Sequence, residues 1–240
     1  MTDARSPELT VEHREEVRRL LRHIAPRAGL SAFTMDILSS KAEIVTVPRG
    51  TTIAPGDRAD KGVRFLVRGV AREELRMPAT RNITIGFLGP GEFLCVPPPM
   101  SSGDGSATQI VFHERSVVAV VARETFLQAI GGLPGIQMAQ LASWTWRRRT
   151  RALLHKLTLL NLPLQNRVER EIIHLANAIG RPETQGMHVA ATISENDVAR
   201  LTAASRTAVS RCVAKLQRAG LLKRVGSGWM ISTRMMAGER

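Results

Sequence analysis

TISENDVARLTAASRTAVSRCVAKLQRAGLLKRVGSGW, residues 192–229, reads as a helix, a tight turn, a second helix and a short basic hairpin. Ser194 is placed to cap the first helix, since its hydroxyl can accept a bond from a free backbone N–H two or three residues on. Glu195 and Asp197 suit the positive end of that helix. Val198 and Leu201 recur at helical spacing and predict a buried stripe. Ala203 and Ala204 make the turn, and Ser205 is a second cap. Val209, Val213 and Leu216 then form an inward face up to Gly220, a usual helix terminator. That leaves Arg206, Thr207, Ser210 and Arg211 on the outward face of the opening turns. The fork of an arginine matches the O6 and N7 acceptors of guanine. Serine and threonine hydroxyls suit phosphates or either base edge. Two strands around Gly226 and Gly228 follow, and they set Lys223 and Arg224 along a sugar–phosphate backbone. Caps, turn, stripe and wing agree with one another, and together they point to a reader of the DNA major groove.

The pattern Ser205-Arg206-x-x-Val209-x-Arg211 resembles the recognition helix of the cAMP receptor protein/FNR (Crp/Fnr) superfamily of bacterial transcription regulators. The resemblance runs from about residue 30 to residue 233. It implies an α+β chain: an N-terminal β-roll sensor of the cyclic-nucleotide-binding type, a long dimerisation helix and a C-terminal winged helix-turn-helix. It also implies a homodimer on a palindromic site, with double-stranded DNA and RNA polymerase as partners. By the same resemblance Arg206 and Arg211 contact bases. Thr207 stands where the family often has a glutamate that reads cytosine. A threonine lacks a carboxylate's strength as an acceptor from cytosine N4, so a different half-site is expected.

Composition sets the outer bounds. The 240 residues carry 34 Lys and Arg against 21 Asp and Glu, a formal charge of +13 that suits a polyanionic partner. Arg147, Arg148, Arg149 and Arg151 concentrate part of that excess. Two cysteines, Cys95 and Cys212, cannot alone build a four-thiolate iron–sulfur or zinc site. They do not form a disulfide scaffold either, which makes a reducing cytoplasm the expected compartment. No apolar run approaches the roughly 20 residues that span a bilayer. The start, MTDARSPELT, lacks the apolar segment of a secretory signal.

The expected division has four parts. Residues 1–40 form a helical extension with Val11, Val17, Leu20, Leu21 and Ile24 on one face, either packed on the core or held as an amphipathic arm. Residues 41–133 are the β-roll, with strands near 44–47, 51–53, 63–67, 83–85 and 117–121 and a short helix from Arg123 to Ile130. Its Gly50, Gly56, Gly69 and Gly91 are read as turns with positive φ. Residues 134–162 are the dimerisation helix and hinge, roughly 40 Å of helix up to Leu160 and a break at Asn161-Leu162-Pro163. Apart from the resemblance, the same helix can also be read as the core helix of one domain. Residues 163–240 are the winged helix-turn-helix domain, opening on a helix from Gln165 to Ile179 with a loop-like exit from Gly180 to His188.

The effector is read from the β-roll. In the cAMP-binding branch a Gly-Glu-Leu segment and an Arg-Ser pair hold the ribose and phosphate. Here the cradle falls on Leu94 to Pro99, LCVPPP. No arginine lies between Arg81 and Arg115, so the phosphate's cationic partner is missing. Three consecutive prolines remove backbone donors. Where the family has a Thr-Ser pair at the adenine, this chain has Thr150, Arg151 and Ala152. The expected effector is therefore not cAMP, and Leu94, Cys95, Val96, Thr150 and Arg151 stand as its candidate contacts. A cyclic dinucleotide is an alternative, through the arginines of 147–151.

Haem is another alternative. Gly91 to Cys95 resembles the segment that carries a thiolate ligand in the carbon-monoxide-sensing branch, where a histidine follows two residues on. Pro97 occupies that place here, and His113 or His155 would have to substitute. Cys212 is read as packing. The remaining histidines show no metal-site spacing, and no nucleophile elbow or phosphate loop is present, so the chain is not read as an enzyme.

The resemblance implies allostery, in which a signal in the β-roll shifts the long helices and reorients the reading heads about the hinge. Two further readings stay open. One is a regulator that binds DNA constitutively, and the other is a nucleotide-binding signalling module whose C-terminal domain contacts a protein.

Overall fold

β-Branched runs punctuated by glycine build the first sheet. Strands β1 (Glu43–Val47), β3 (Gly62–Arg68) and β7 (Ser116–Ala122) pair antiparallel in the order β1-β7-β3, with Thr46 opposite Val117 and Phe65 opposite Ala119. The strand β2 (Thr52–Ile53) pairs antiparallel with β6 (Ala107–Phe112). Gly50, Gly69 and Gly91 all take positive φ, as expected for their turns, and Gly56 lies outside the described residues. At Gly69 the need is also steric, because a Cβ there would sit 2.3 Å from the Ser116 hydroxyl oxygen.

The computed structural model describes residues 15, 17–20, 30–54, 62–76, 82–94, 107–189, 193–226 and 228–238. The chain resolves into two units, residues 1–71 with 89–151 and residues 72–88 with 152–240. In the first unit, helix α1 (Ala32–Ser40) starts at Ser31, whose hydroxyl accepts the Thr34 N–H at 3.0 Å. Met35 and Leu38 of α1 join Phe65, Val67, Ala119 and Val121 of the sheet in one apolar core. Val17 is buried in that core, so at this residue the N-terminal extension packs on the sheet. Val11, Leu21 and Ile24 lie outside the described residues. Helix α2 (Arg123–Gly131) follows β7 directly. Helix α3 (Gly135–Leu160) is 26 residues long and hence about 39 Å. Among the described residues no helix is long and apolar enough to cross a membrane.

In the second unit, which includes the last turns of α3, helix α4 (Leu164–Ile179) has Val168, Ile172, Leu175 and Ala176 on its inward face. Helices α5 (Glu195–Thr202) and α6 (Arg206–Arg218) follow. A four-stranded sheet runs in the order β10 (Leu222–Val225), β11 (Gly228–Ser232), β9 (Gly186–Val189), β8 (Arg181–Glu183). Helix α7 (Thr233–Ala237) closes the unit, with Met235 fully buried. Most of β4 (Ala71–Arg76) and all of β5 (Ile83–Leu88) belong to this unit, where β5 lies against α4 and α5.

One local expectation is corrected, and two strands, β4 and β6, add to those read from the sequence. The exit at 180–188 is not a loop: β8 and β9 form a hairpin, and His188 lies in β9 opposite Met230 of the wing. Pairing with β11 overrides the proline and glycine that signalled a loop. The stretch Ala71–Arg76 is a strand although four of its six residues are charged, with Glu74 buried and ion-paired with Arg72. β6 carries the apolar run Ile110–Phe112 after the glycine-containing stretch at 103–105.

The turn between α5 and α6 carries a strained residue. Ala203 has φ +51° and ψ +43°, the one non-glycine positive φ among the described residues. A Cβ in the left-handed region costs roughly 1–2 kcal/mol. Glycine removes that cost but gives back about 0.4–1 kcal/mol through the unfolded chain. Ala203→Gly is therefore expected to raise stability by up to about 1 kcal/mol in urea unfolding. A loss of stability would show that the turn is not strained.

Candidate nucleic-acid interface

Two serine caps hold the interface in place. The Ser194 hydroxyl accepts the Asp197 N–H at 3.3 Å, and Asp197 Oδ2 accepts the Ser194 N–H at 2.8 Å, a complete capping box. The same Oδ2 also accepts from the Ser194 hydroxyl at 2.6 Å. The Ser205 hydroxyl accepts the Ala208 N–H at 3.2 Å and starts α6. Each cap contributes about 1 kcal/mol and fixes where its helix begins.

Burial then sorts the second helix. Val209, Cys212, Val213 and Leu216 face inward, so Cys212 is packing as expected. Arg206, Thr207 and Arg211 are exposed, and Ser210 is half-buried beside them. Positions 206, 207, 210 and 211 share one face at helical spacing. Neither guanidinium of that face is tucked inward. The carboxyl end of α6 bears Lys215 and Arg218, which suit its negative pole.

The wing brings up a third arginine. In the β10–β11 ladder Arg224 stands opposite Trp229, and its guanidinium carbon lies 6.0 Å from the indole centroid. Trp229 is buried and gives Arg224 a fixed platform through a cation–π contact. Arg224 and Arg206 line one cleft of about 280 Å3 together with Ser194, Glu195 and Asn196. The first turns of α5 and α6 and the wing thus converge on one concave surface. Lys223, one position along, is exposed.

Sequence reasoning named Ser194, Ser205, Arg206, Thr207, Ser210, Arg211, Lys223 and Arg224, and all eight lie in the second unit. It missed Asn196, the exposed second residue of α5 that lines the cleft. The signal was available, because a polar side chain in the first turn of a helix lies beside the free N–H groups of that terminus.

The effector candidates divide differently. Leu94 is buried, and its N–H donates to the Arg64 carbonyl at 2.9 Å. The ring of Phe93 before it meets that of Phe65 at a 50° tilt, with centroids 4.4 Å apart. Thr150 is half-buried and Arg151 exposed on α3. Cys95 and Val96 lie outside the described residues. His113 is buried at the end of β6 in the first unit, whereas His155 lies in the second.

No protein-family model matches the chain. A CRP-like cAMP-activated global transcriptional regulator of Mycobacterium tuberculosis is 24% identical over 206 residues, covering 85% of this chain and 90% of the relative. Among solved structures, FixK2 from Bradyrhizobium japonicum matches with a TM-score of 0.65 at 18% identity, covering 83% of this chain and 98% of its own. The c-di-GMP responsive global regulator CLP of Xanthomonas campestris matches with a TM-score of 0.59 at 21% identity, covering 84% and 99%.

Proposed function

From a chain that has the fold of the Crp/Fnr regulators and a CRP-like transcriptional regulator as a sequence relative, we propose a homodimer that binds a palindromic DNA site sequence-specifically and regulates transcription. The observation that carries this reading is the convergence of Arg206 and Arg224 on one cleft, with Arg211 exposed on the same helix as Arg206. In it Arg206 and Arg211 read base edges, Thr207 tunes the half-site, and Ser194, Ser205, Ser210, Lys223 and Arg224 engage the backbone. The domain roles are 1–40 extension, 41–133 sensor, 134–162 dimerisation helix and hinge, and 163–240 reading head. The expected compartment is the cytoplasm, with RNA polymerase as a partner.

Dimerisation is supported by α3. Leu153, Leu154, Leu157 and Leu160 are 49%, 54%, 58% and 66% exposed, and 153, 157 and 160 follow helical spacing. A leucine stripe of this kind leaves several kcal/mol of apolar burial unrealised unless a second helix covers it. A second copy supplies that helix by two-fold symmetry and sets two reading heads about one turn of DNA apart.

The effector of this reading acts at the β-roll and is not cAMP. The Mycobacterium relative is described as cAMP-activated, but here no arginine stands between Arg81 and Arg115 to meet a cyclic phosphate.

Binding to palindromic duplexes across a salt series tests the DNA reading. The logarithm of affinity is expected to fall linearly with the logarithm of salt, by about 0.9 per phosphate neutralised. Arg224→Ala should reduce that slope by about 1. Affinity that ignores salt would favour the alternative in which the C-terminal domain contacts a protein.

A further inference from the structure

Behind the reading face, the last turns of α3 meet α4 and α5 through a buried ionic cluster. Glu171 of α4 is fully buried and ion-paired with Lys156 of α3. The same ammonium donates to the Leu201 carbonyl at 3.2 Å, and Arg167 of α4 donates to the Thr202 carbonyl at 3.1 Å. Those two carbonyls end α5, the helix whose other end carries Ser194 and Asn196 in the cleft. Two cations therefore hold the negative pole of the helix that presents its positive pole to the interface. His155 of α3 completes the cluster, with Nε2 3.6 Å from Glu171 Oε1 and its ring stacked on His174 of α4 at 4.3 Å between centroids.

Lys156 and Glu171 neutralise one another. Burial alone would raise the Glu171 carboxyl, but His155 and Lys156 outweigh it and hold it below the usual carboxylate range. Burial draws Lys156 below the ordinary lysine value in spite of Glu171. Burial, and then the charge of His155, keep His174 below the ordinary imidazole value. A buried pair of this kind adds little net stability, whereas removing one partner strands the other at high cost. Its physical use is to specify one arrangement of three helices.

We propose that Lys156 and Glu171 are positioning residues for DNA binding: they latch the end of the long helix to the back of α5, and a charge on the neighbouring His174 ring loosens the latch. This rests on the DNA-binding reading above. The charged and titratable groups beside His174 are His155 and Lys156 on α3 and Glu171 on α4. A charge on His174 would add a further cation beside Lys156 around one carboxylate. Because His174 binds its proton less readily in the latched form, the latch is at full strength above about pH 6.5. It weakens as the pH falls below that value.

The test uses the full chain and a duplex selected by the wild type from a random pool. Wild-type affinity is expected to fall about tenfold between pH 7.5 and pH 5.5, as the competent fraction drops. In His174→Asn the ratio between the two pH values should collapse towards one. Lys156→Met should bind at least about tenfold more weakly at pH 7.5, while Lys156→Arg, which keeps the charge, recovers most of the loss. Without DNA, amide exchange across residues 195–202 should be faster in Lys156→Met. Wild-type affinity and exchange in Lys156→Met would overturn the latch, as would an unchanged pH ratio in His174→Asn. If Lys156→Met does not fold, the pH ratio decides. If the wild type binds no duplex, the DNA reading fails and the exchange measurement still judges the latch.

Discussion

Gly186→Ala is expected to destabilise the second unit by about 3–5 kcal/mol, a large part of the stability of a small unit. Gly186 opens β9 with φ +144°, a conformation that L side chains rarely adopt. It pairs with Ser232 of β11, and a Cβ built on it would lie 1.9 Å from the Ile231 carbonyl oxygen and 2.9 Å from its carbon. Backbone strain of this kind costs about 1–3 kcal/mol, and the obstructing atoms are backbone that cannot swing away. Relief requires parting β9 from β11, which also unseats the wing that holds Trp229 under Arg224. Urea unfolding followed by tryptophan fluorescence measures the change. A cost under about 1 kcal/mol would show that the β9–β11 register is not as described.

Leu157→Glu is expected to break the dimer. In the proposed assembly each substitution appears twice across the two-fold axis. Losing a buried leucine costs about 1.5–3 kcal/mol per copy, and burying a carboxylate without a partner adds to it. The sum, about 4–6 kcal/mol, weakens dimerisation roughly a thousandfold or more. Sedimentation equilibrium reads the assembly directly, and affinity for a palindromic duplex should fall with it. Because Leu157 is 58% exposed within one chain, monomer stability should change little. An intact dimer in Leu157→Glu would remove α3 as the interface.

What the sequence made legible was local. Ser194 and Ser205 announce their helices because a cap is a contact over three residues, and both hydroxyls accept the N–H three positions on. The outward face at 206, 207 and 211 follows from a 3.6-residue period set by Val209, Val213 and Leu216. What stayed hidden depends on residues far apart in the chain. Arg224 meets the cleft of Arg206 only because the wing folds back onto α5. In sequence Glu171 is one more charge on an amphipathic helix, and only the fold brings Lys156, fifteen residues earlier, to neutralise it. The strand at Arg181–Glu183 carries a proline and exposed residues, and only its partner β9 makes it a strand. The β-roll glycines were readable as turns because positive φ is a property of one residue, as Gly50, Gly69 and Gly91 show.

The central claim is that exposed arginines on the opening turns of α6 sort bases, and one measurement tests it most directly. Wild-type protein and Arg206→Ala are titrated against a selected palindromic duplex and a panel in which each base pair of the half-site is changed in turn. The account predicts a loss of about 1–3 kcal/mol on the selected duplex and a flat response to substitution at one base step, with discrimination elsewhere intact. An equal loss on every duplex would mean that Arg206 touches only the backbone, and it would contradict the account.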